Sequence, residues 1–239
     1  MNEVIDQVFS TGYVEDAQGN RYKSSASSVS LEAGTLLYDL VRTLKPDKTL
    51  ETGMAYGIST LFMCQAHRDK GGGCHTAIDP FQEWNFKSIG LANIERAQLK
   101  DVLRFYQAPS HEVLPQLCAQ HERFDFAFID GNHRFDYALV DFFYIDKLLN
   151  VGGHVALDDL WIPSVRKVAS FVLKNTPYKL VRISSKHQTP KWTRVLRTGR
   201  RIVQNPFGRD WALKFVPQNV ALLQKLGAEH RSWQYQRAF

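Results

Sequence analysis

Thr49-Leu-Glu-Thr-Gly-Met-Ala-Tyr-Gly-Ile-Ser-Thr60 carries Gly53 and Gly57 in a turn, and the apolar run Leu61-Phe-Met63 follows it. The pattern predicts a strand over about Thr49–Glu51, a tight turn, and a helix reaching about His67. Such a turn gathers unpaired backbone N–H groups and the positive end of the helix dipole at one spot. Glycine lets a ligand approach that backbone without meeting a Cβ. The turn therefore suits a polar cofactor, although glycines at strand–helix junctions are as often plain turn residues. The spacing, Glu-x-Gly-x-x-x-Gly, is neither the dinucleotide fingerprint nor the P-loop.

Outward from this stretch, strands and helices alternate. Upstream, Ser30 is placed to cap a helix whose Leu36, Leu37, Leu40, Val41 and Leu44 form one face, and Pro46 stops it. Downstream, strands are expected at His75–Ile78, Leu103–Ala108, Phe124–Ile129 and His154–Leu157. Helices are expected at Ile89–Leu99, around Val113–Leu117, over Phe135–Leu149 and over about 164–175. Gly152-Gly153 is read as ending the Phe135–Leu149 unit. The alternation predicts an α/β fold with a doubly wound, mostly parallel sheet. Two close β-like runs, Tyr178–Ile183 and Trp192–Leu196, are read as an antiparallel edge hairpin. The organisation expected is an N-terminal arm over 1–24, a main domain over 25–197, and a basic, aromatic C-terminal extension over 198–239.

With 239 residues, 44% apolar and 23% charged, the chain is an ordinary globular domain with room for a sizeable core. The net charge is +6, with much of the excess beyond Lys179. A solvated basic face or a subunit contact is favoured over nucleic-acid binding. Cys64, Cys74 and Cys118 are odd in number and lack C-x-x-C spacing, as free thiols in a reducing compartment would be. No signal-peptide pattern or membrane-length apolar run is present, so a cytoplasmic protein without a membrane partner is expected.

Ligands of open α/β sheets bind beyond the carboxyl ends of the strands. On the expected strands those ends carry Glu51, Asp79, Asp130, Asp158 and Asp159. Any one of these could be a helix cap or a loop acid. Five together would repel unless a cation or a donor-rich ligand sits among them. Asp79 lies where an acid grips ribose hydroxyls. Asp130, Asp158 and Asp159 could form an all-oxygen site for Mg²⁺, or for Ca²⁺ or Mn²⁺.

The glycine turn resembles motif I of the class I S-adenosylmethionine-dependent methyltransferases, whose fold is Rossmann-like. Asp130-Gly-Asn-His133, a helix, then Leu149-Asn-Val-Gly-Gly-His-Val-Ala-Leu-Asp-Asp159 resembles the metal-dependent O-methyltransferases, both the catechol and caffeoyl-CoA branch and the macrocin-type sugar branch. The match covers roughly 25–197. It implies a metal at Asp130, Asp158 and Asp159. It implies that S-adenosylmethionine is bound by Glu51, Gly53, Gly57 and Ser59 around its amino-acid part and Asp79 at the ribose. Pro109-Ser110-His111 would lie at the adenine, Ser30 in the loop over the methionine end, and Asp130 against the cofactor. Tyr56 is either a cofactor contact or a core aromatic. The catechol branch carries Asp-Asn where this chain has Asp158-Asp159, which sits closer to the macrocin type. His133, three residues after Asp130, is the candidate general base, or else a polar histidine at a helix start.

The function implied is divalent-metal-assisted O-methylation of a hydroxyl on a small molecule: a sugar, a natural product or a catechol-like diol. Three alternatives stand beside it. One is a metal-independent small-molecule methyltransferase. Another is an RNA methyltransferase, which the absence of an Asn-Pro-Pro-Tyr motif and of a stacking platform disfavours. The third is a non-catalytic partner subunit. Trp161 is a candidate pocket wall, and the aromatic tail makes a homodimer plausible.

Overall fold

The computed structural model describes residues 2–184 and 220–235. The arm forms α1 (Glu3–Thr11), capped by Asn2, and a small hairpin of β1 (Tyr13–Glu15) and β2 (Arg21–Lys23). Val4, Ile5 and Val8 of α1 are buried, so the arm packs into the main body. Ser30 caps α2 (Leu31–Leu44), its side chain accepting from the Ala33 N–H. Then come β3 (Lys48–Thr52), α3 (Ile58–Asp69), β4 (Cys74–Ile78), α4 (Ile89–Arg96), β5 (Leu103–Tyr106), α5 (Ser110–Ala119) and β6 (Phe124–Ile129). They are followed by α6 (Phe135–Leu148), β7 (Leu149–Leu157), α7 (Pro163–Asn175), β8 (Tyr178–Ser184) and β9 (Val220–Lys225).

The seven strands of the central sheet run in the order β5-β4-β3-β6-β7-β9-β8. β3 lies parallel to both β4 and β6, so the chain winds outward in opposite directions from the β3/β6 pair. A crevice opens at the carboxyl ends of such a pair. Alternation along each strand feeds two cores. Phe126 and Phe128 join α1 to α4 on one face, while Ala127 and Ile129 join α5, α6 and α7 on the other. With both faces covered, β6 reads as the near-continuous apolar run of a buried parallel strand. The expected doubly wound sheet is what forms.

Two local readings change. Among the described residues the antiparallel partner of β8 is β9; Trp192–Leu196, the partner expected from sequence, lies outside them. β9 comes from the stretch read as an appended extension, and it inserts between β7 and β8, antiparallel to both. The all-buried run Val220-Ala-Leu-Leu223 can bury both faces, as an interior strand must. β7 also starts at Leu149, so Gly152 and Gly153 lie inside it, where the pairing with β6 shifts register between Phe124 and Phe126.

Candidate functional site

The carboxyl ends of β3, β4 and β6 frame a pocket of about 390 Å³. Gly53 leaves β3 at φ +88°, and a Cβ there would lie 2.3 Å from the Asp130 carbonyl oxygen. Only glycine fits so close to the end of β6. Asp79, at the end of β4, holds the turn: its Oδ2 accepts from the N–H groups of Met54 (3.0 Å) and Ala55 (2.7 Å). Its Oδ1 accepts from the Phe81 N–H at 2.7 Å. Gln82 completes the clamp by donating to the Ala55 carbonyl at 2.7 Å.

Of the residues implied for the cofactor, Gly53, Asp79, Ser110, His111 and Asp130 line this pocket. Asp79 does so with both oxygens already receiving backbone N–H groups. The others lie elsewhere. Gly57, at φ +78°, packs against Gly90, and Ser59 is buried in the first turn of α3. Tyr56 is a core aromatic set edge-on to Phe86, with ring centroids 5.5 Å apart. Ser30 serves as the cap of α2. Glu51 is fully buried beneath α3, where it accepts from the Thr60 hydroxyl and lies 3.1 Å from His75 Nε2. The five acids therefore do not converge as one set.

Three groups do converge. His133 Nε2 lies 3.4 Å from Asp130 Oδ1 and 3.3 Å from Asp159 Oδ2. These ligand atoms all lie within 4.8 Å of one another, a spacing that one cation could bridge. Asp158 is buried behind the cluster, its Oδ1 accepting from the Asp159 N–H at 2.7 Å. Asp159 sits at φ +52°, a left-handed conformation that Asp tolerates better than most side chains and that aims its carboxylate at His133. Burial pushes the Asp130 carboxyl up to about 6; the Asp159 charge adds to this, and the hydrogen bond from His133 opposes it. That hydrogen bond to Asp130 in turn raises the His133 pKa, against a smaller loss from burial.

The sequence did not point to Thr52, Phe81, Phe86, Asn132 or Tyr137, which also line the pocket. Phe81 and Phe86 follow a strand-end Asp-Pro, and that position was the one available signal. Trp161 donates its indole N–H to Asp159 Oδ1 at 2.7 Å, with most of the ring exposed beside the cluster. A larger hollow of about 600 Å³ lies at the opposite ends of the strands, near Arg123, Phe143 and Lys147. It holds none of the clustered carboxylates, so the smaller pocket is the candidate site.

Residues 50–160 match the family model described as a methyltransferase domain. A caffeoyl-CoA O-methyltransferase of Populus kitakamiensis is 30% identical over 163 residues, which cover 64% of this chain and 65% of that protein. Another, from Stellaria longipes, is 33% identical over 133 residues, covering 54% and 53%. The chain thus spans less than two thirds of the length of either relative. In fold, it is similar to the O-methyltransferase of Bacillus cereus solved in complex with SAH, at TM-score 0.67 and 18% identity, covering 94% of this chain and 92% of that one. A putative caffeoyl-CoA O-methyltransferase from Staphylococcus aureus follows at TM-score 0.63 and 12% identity, covering 92% and 91%. The Rossmann-like fold of these proteins is the fold of this chain.

Proposed function

We propose that this chain, whose residues 50–160 belong to the methyltransferase domain family, is an S-adenosylmethionine-dependent O-methyltransferase acting on a hydroxyl of a small molecule. The observation that carries the proposal is the position of His133 Nε2, between two carboxylates of which one, Asp130, lines the pocket beside the glycine turn. The pocket would take the nucleoside of the cofactor, with Gly53 allowing close approach and Asp79 keeping the turn in shape.

The methyl carbon would leave the sulfonium sulfur as it bonds to the acceptor oxygen, and the hydroxyl proton would go to neutral His133. Asp130 and Asp159 favour that transfer because both stabilise the imidazolium that forms. Trp161 fixes Asp159, and the Ser164 hydroxyl donates to the His133 carbonyl, so the base is oriented from two sides. Alignment on these rigid strand ends contributes several kcal/mol by itself.

A divalent cation fits the donor set: two hard carboxylate oxygens and an imidazole, with Asp130 buried enough, and near enough to Asp159, to resist ionisation. Asp130 and Asp159 would hold it, with Asp158 behind them and His133 either a ligand or the base. Bound there, such an ion lowers the pKa of a hydroxyl brought to it. Asp at 159, in place of the Asn of the catechol branch, favours a sugar-like diol over the caffeoyl-CoA for which the plant relatives are named. The His–carboxylate set is also a self-sufficient base, which supports a metal-independent variant of the same reaction.

The test has two parts. Methylation of vicinal-diol acceptors is assayed with and without EDTA, and Mn²⁺ binding is followed by calorimetry in the unsubstituted chain and in Asp159→Asn. Loss of turnover with EDTA, together with Mn²⁺ binding that Asp159→Asn weakens, supports the metal. Full turnover in EDTA removes it. No S-adenosylhomocysteine binding at all removes the enzyme.

A further inference from the structure

Behind the pocket floor, Asp141 of α6 is 2% exposed, among the most buried acids of the described residues. Burial raises its pKa, and the Ser110 and Thr52 hydroxyls oppose the rise. Asp141 Oδ1 and Thr52 Oγ1 are both buried with no hydrogen-bond partner among the described residues. A Cβ built on Gly131 would lie 3.4 Å from Asp141 Oδ2 and 3.5 Å from Thr52 Oγ1, so the acid and the threonine both border Gly131. Thr52, Ser110 and Gly131 line the pocket, and Asp141 stands one layer behind them. A buried acceptor without a donor is costly, and a bare carboxylate costs more than a neutral group. A cluster left in this state next to a cavity fits a seat completed by what enters the cavity.

We propose that Asp141 is a positioning residue: it orients the Ser110 and Thr52 hydroxyls on the pocket floor and so sets the affinity for the nucleoside of the bound cofactor. The inference rests on the cofactor reading above. The Thr52 hydroxyl, at the end of β3, and the Ser110 hydroxyl, at the start of α5, both act on this one carboxyl. Occupation of the pocket by a nucleoside restricts how each hydroxyl can turn, and the acid supplies the fixed acceptor that selects the productive orientation. A carboxylate offers both hydroxyls an acceptor oxygen; the amide of Asn replaces one of those oxygens by a donor, so a hydroxyl facing it must turn round.

The experiment is calorimetric titration of S-adenosylhomocysteine into the full chain, carried out as a double-mutant cycle. Asp141→Asn is expected to weaken binding about tenfold, a loss typical of a hydrogen bond involving a charged group. In a Thr52→Val/Ser110→Ala background the same substitution is expected to weaken it less than about twofold, because the hydroxyls through which it acts are gone. Thr52→Ser, which keeps a hydroxyl, should bind like the unsubstituted chain. A merely structural acid predicts an equal loss in both backgrounds, and that result overturns the proposal, as does unchanged affinity in Asp141→Asn. If Asp141→Asn does not fold, the Thr52→Val and Ser110→Ala pair gives the same decision: losses that fail to add support a shared carboxylate, and losses that add overturn it. Failure of the unsubstituted chain to bind S-adenosylhomocysteine overturns the cofactor reading itself, an outcome distinct from any of these.

Discussion

Gly53→Ala separates two costs that usually come together. Gly53 and Gly152 share φ +88°, yet a Cβ on Gly152 meets nothing within 4 Å, whereas one on Gly53 would lie 2.3 Å from the Asp130 carbonyl oxygen and 2.7 Å from its carbon. Alanine at either position carries the backbone strain of a positive φ, about 1–2 kcal/mol. At Gly53 it also drives a methyl into backbone that cannot rotate away, so β3 and β6 must part at their carboxyl ends. Forced overpacking of this kind costs about 1–3 kcal/mol more. Urea unfolding should therefore place Gly152→Ala about 1–2 kcal/mol below the unsubstituted chain and Gly53→Ala about 2–5 kcal/mol below it. Displacement of Asp130 should also cost Gly53→Ala its affinity for S-adenosylhomocysteine, while Gly152→Ala retains it. Equal unfolding free energies for the two variants would refute the close approach of β3 to Asp130.

Two further outcomes follow from buried charge. The His67 pKa is lowered to about 4, chiefly by burial with the charge of His75 adding to it; its Nε2 lies 2.8 Å from the Thr49 hydroxyl. Its folded value lies below its unfolded value of 6.5, so its contribution is complete above about pH 6.5 and is lost as pH falls toward 4, on the order of 3 kcal/mol. Asp130, raised to about 6, acts in the opposite sense over part of that window. The measurement is therefore the difference in unfolding free energy between the unsubstituted chain and His67→Gln, which should shrink as pH drops from 7 to 4.5; a pH-independent difference would count against a neutral buried imidazole. Lys225 lies in β9 with its side chain 7% exposed, donating to the carbonyls of Asp146 and Leu149 and pairing with Asp146 Oδ1 at 3.2 Å. Among the described residues, Lys225→Met leaves that carboxylate only the Tyr178 hydroxyl, and it should cost about 3–5 kcal/mol, with part recovered by adding Asp146→Asn; a loss under about 1 kcal/mol would show that the pair is not buried in solution.

Sequence alone determined what local chemistry dictates. Phe124–Ile129 reads as a buried parallel strand because nearly every residue is apolar, and it forms with those bounds. Gly53 marks the turn because a positive φ beside another backbone admits little else. Asp130, Asp158 and Asp159 are legible as strand ends on a shared edge, which fall near one another whatever the loops do, and His133 as the residue three beyond Asp130; the structure groups Asp130, His133 and Asp159. Tertiary structure decided which side chains at those ends share a space. Glu51 turns under α3 because side chains alternate along β3, sending it to the face opposite Leu50 and Thr52. Asp158 turns inward to accept from the residue after it, which leaves Asp159 facing His133. β9, distant in sequence, lies between β7 and β8 because its apolar run can bury both faces there. Spacing along a sequence fixes which strand end a residue occupies; the direction it points is set by pleat, packing and the nearest unpaired donor, which exist only once the sheet is assembled.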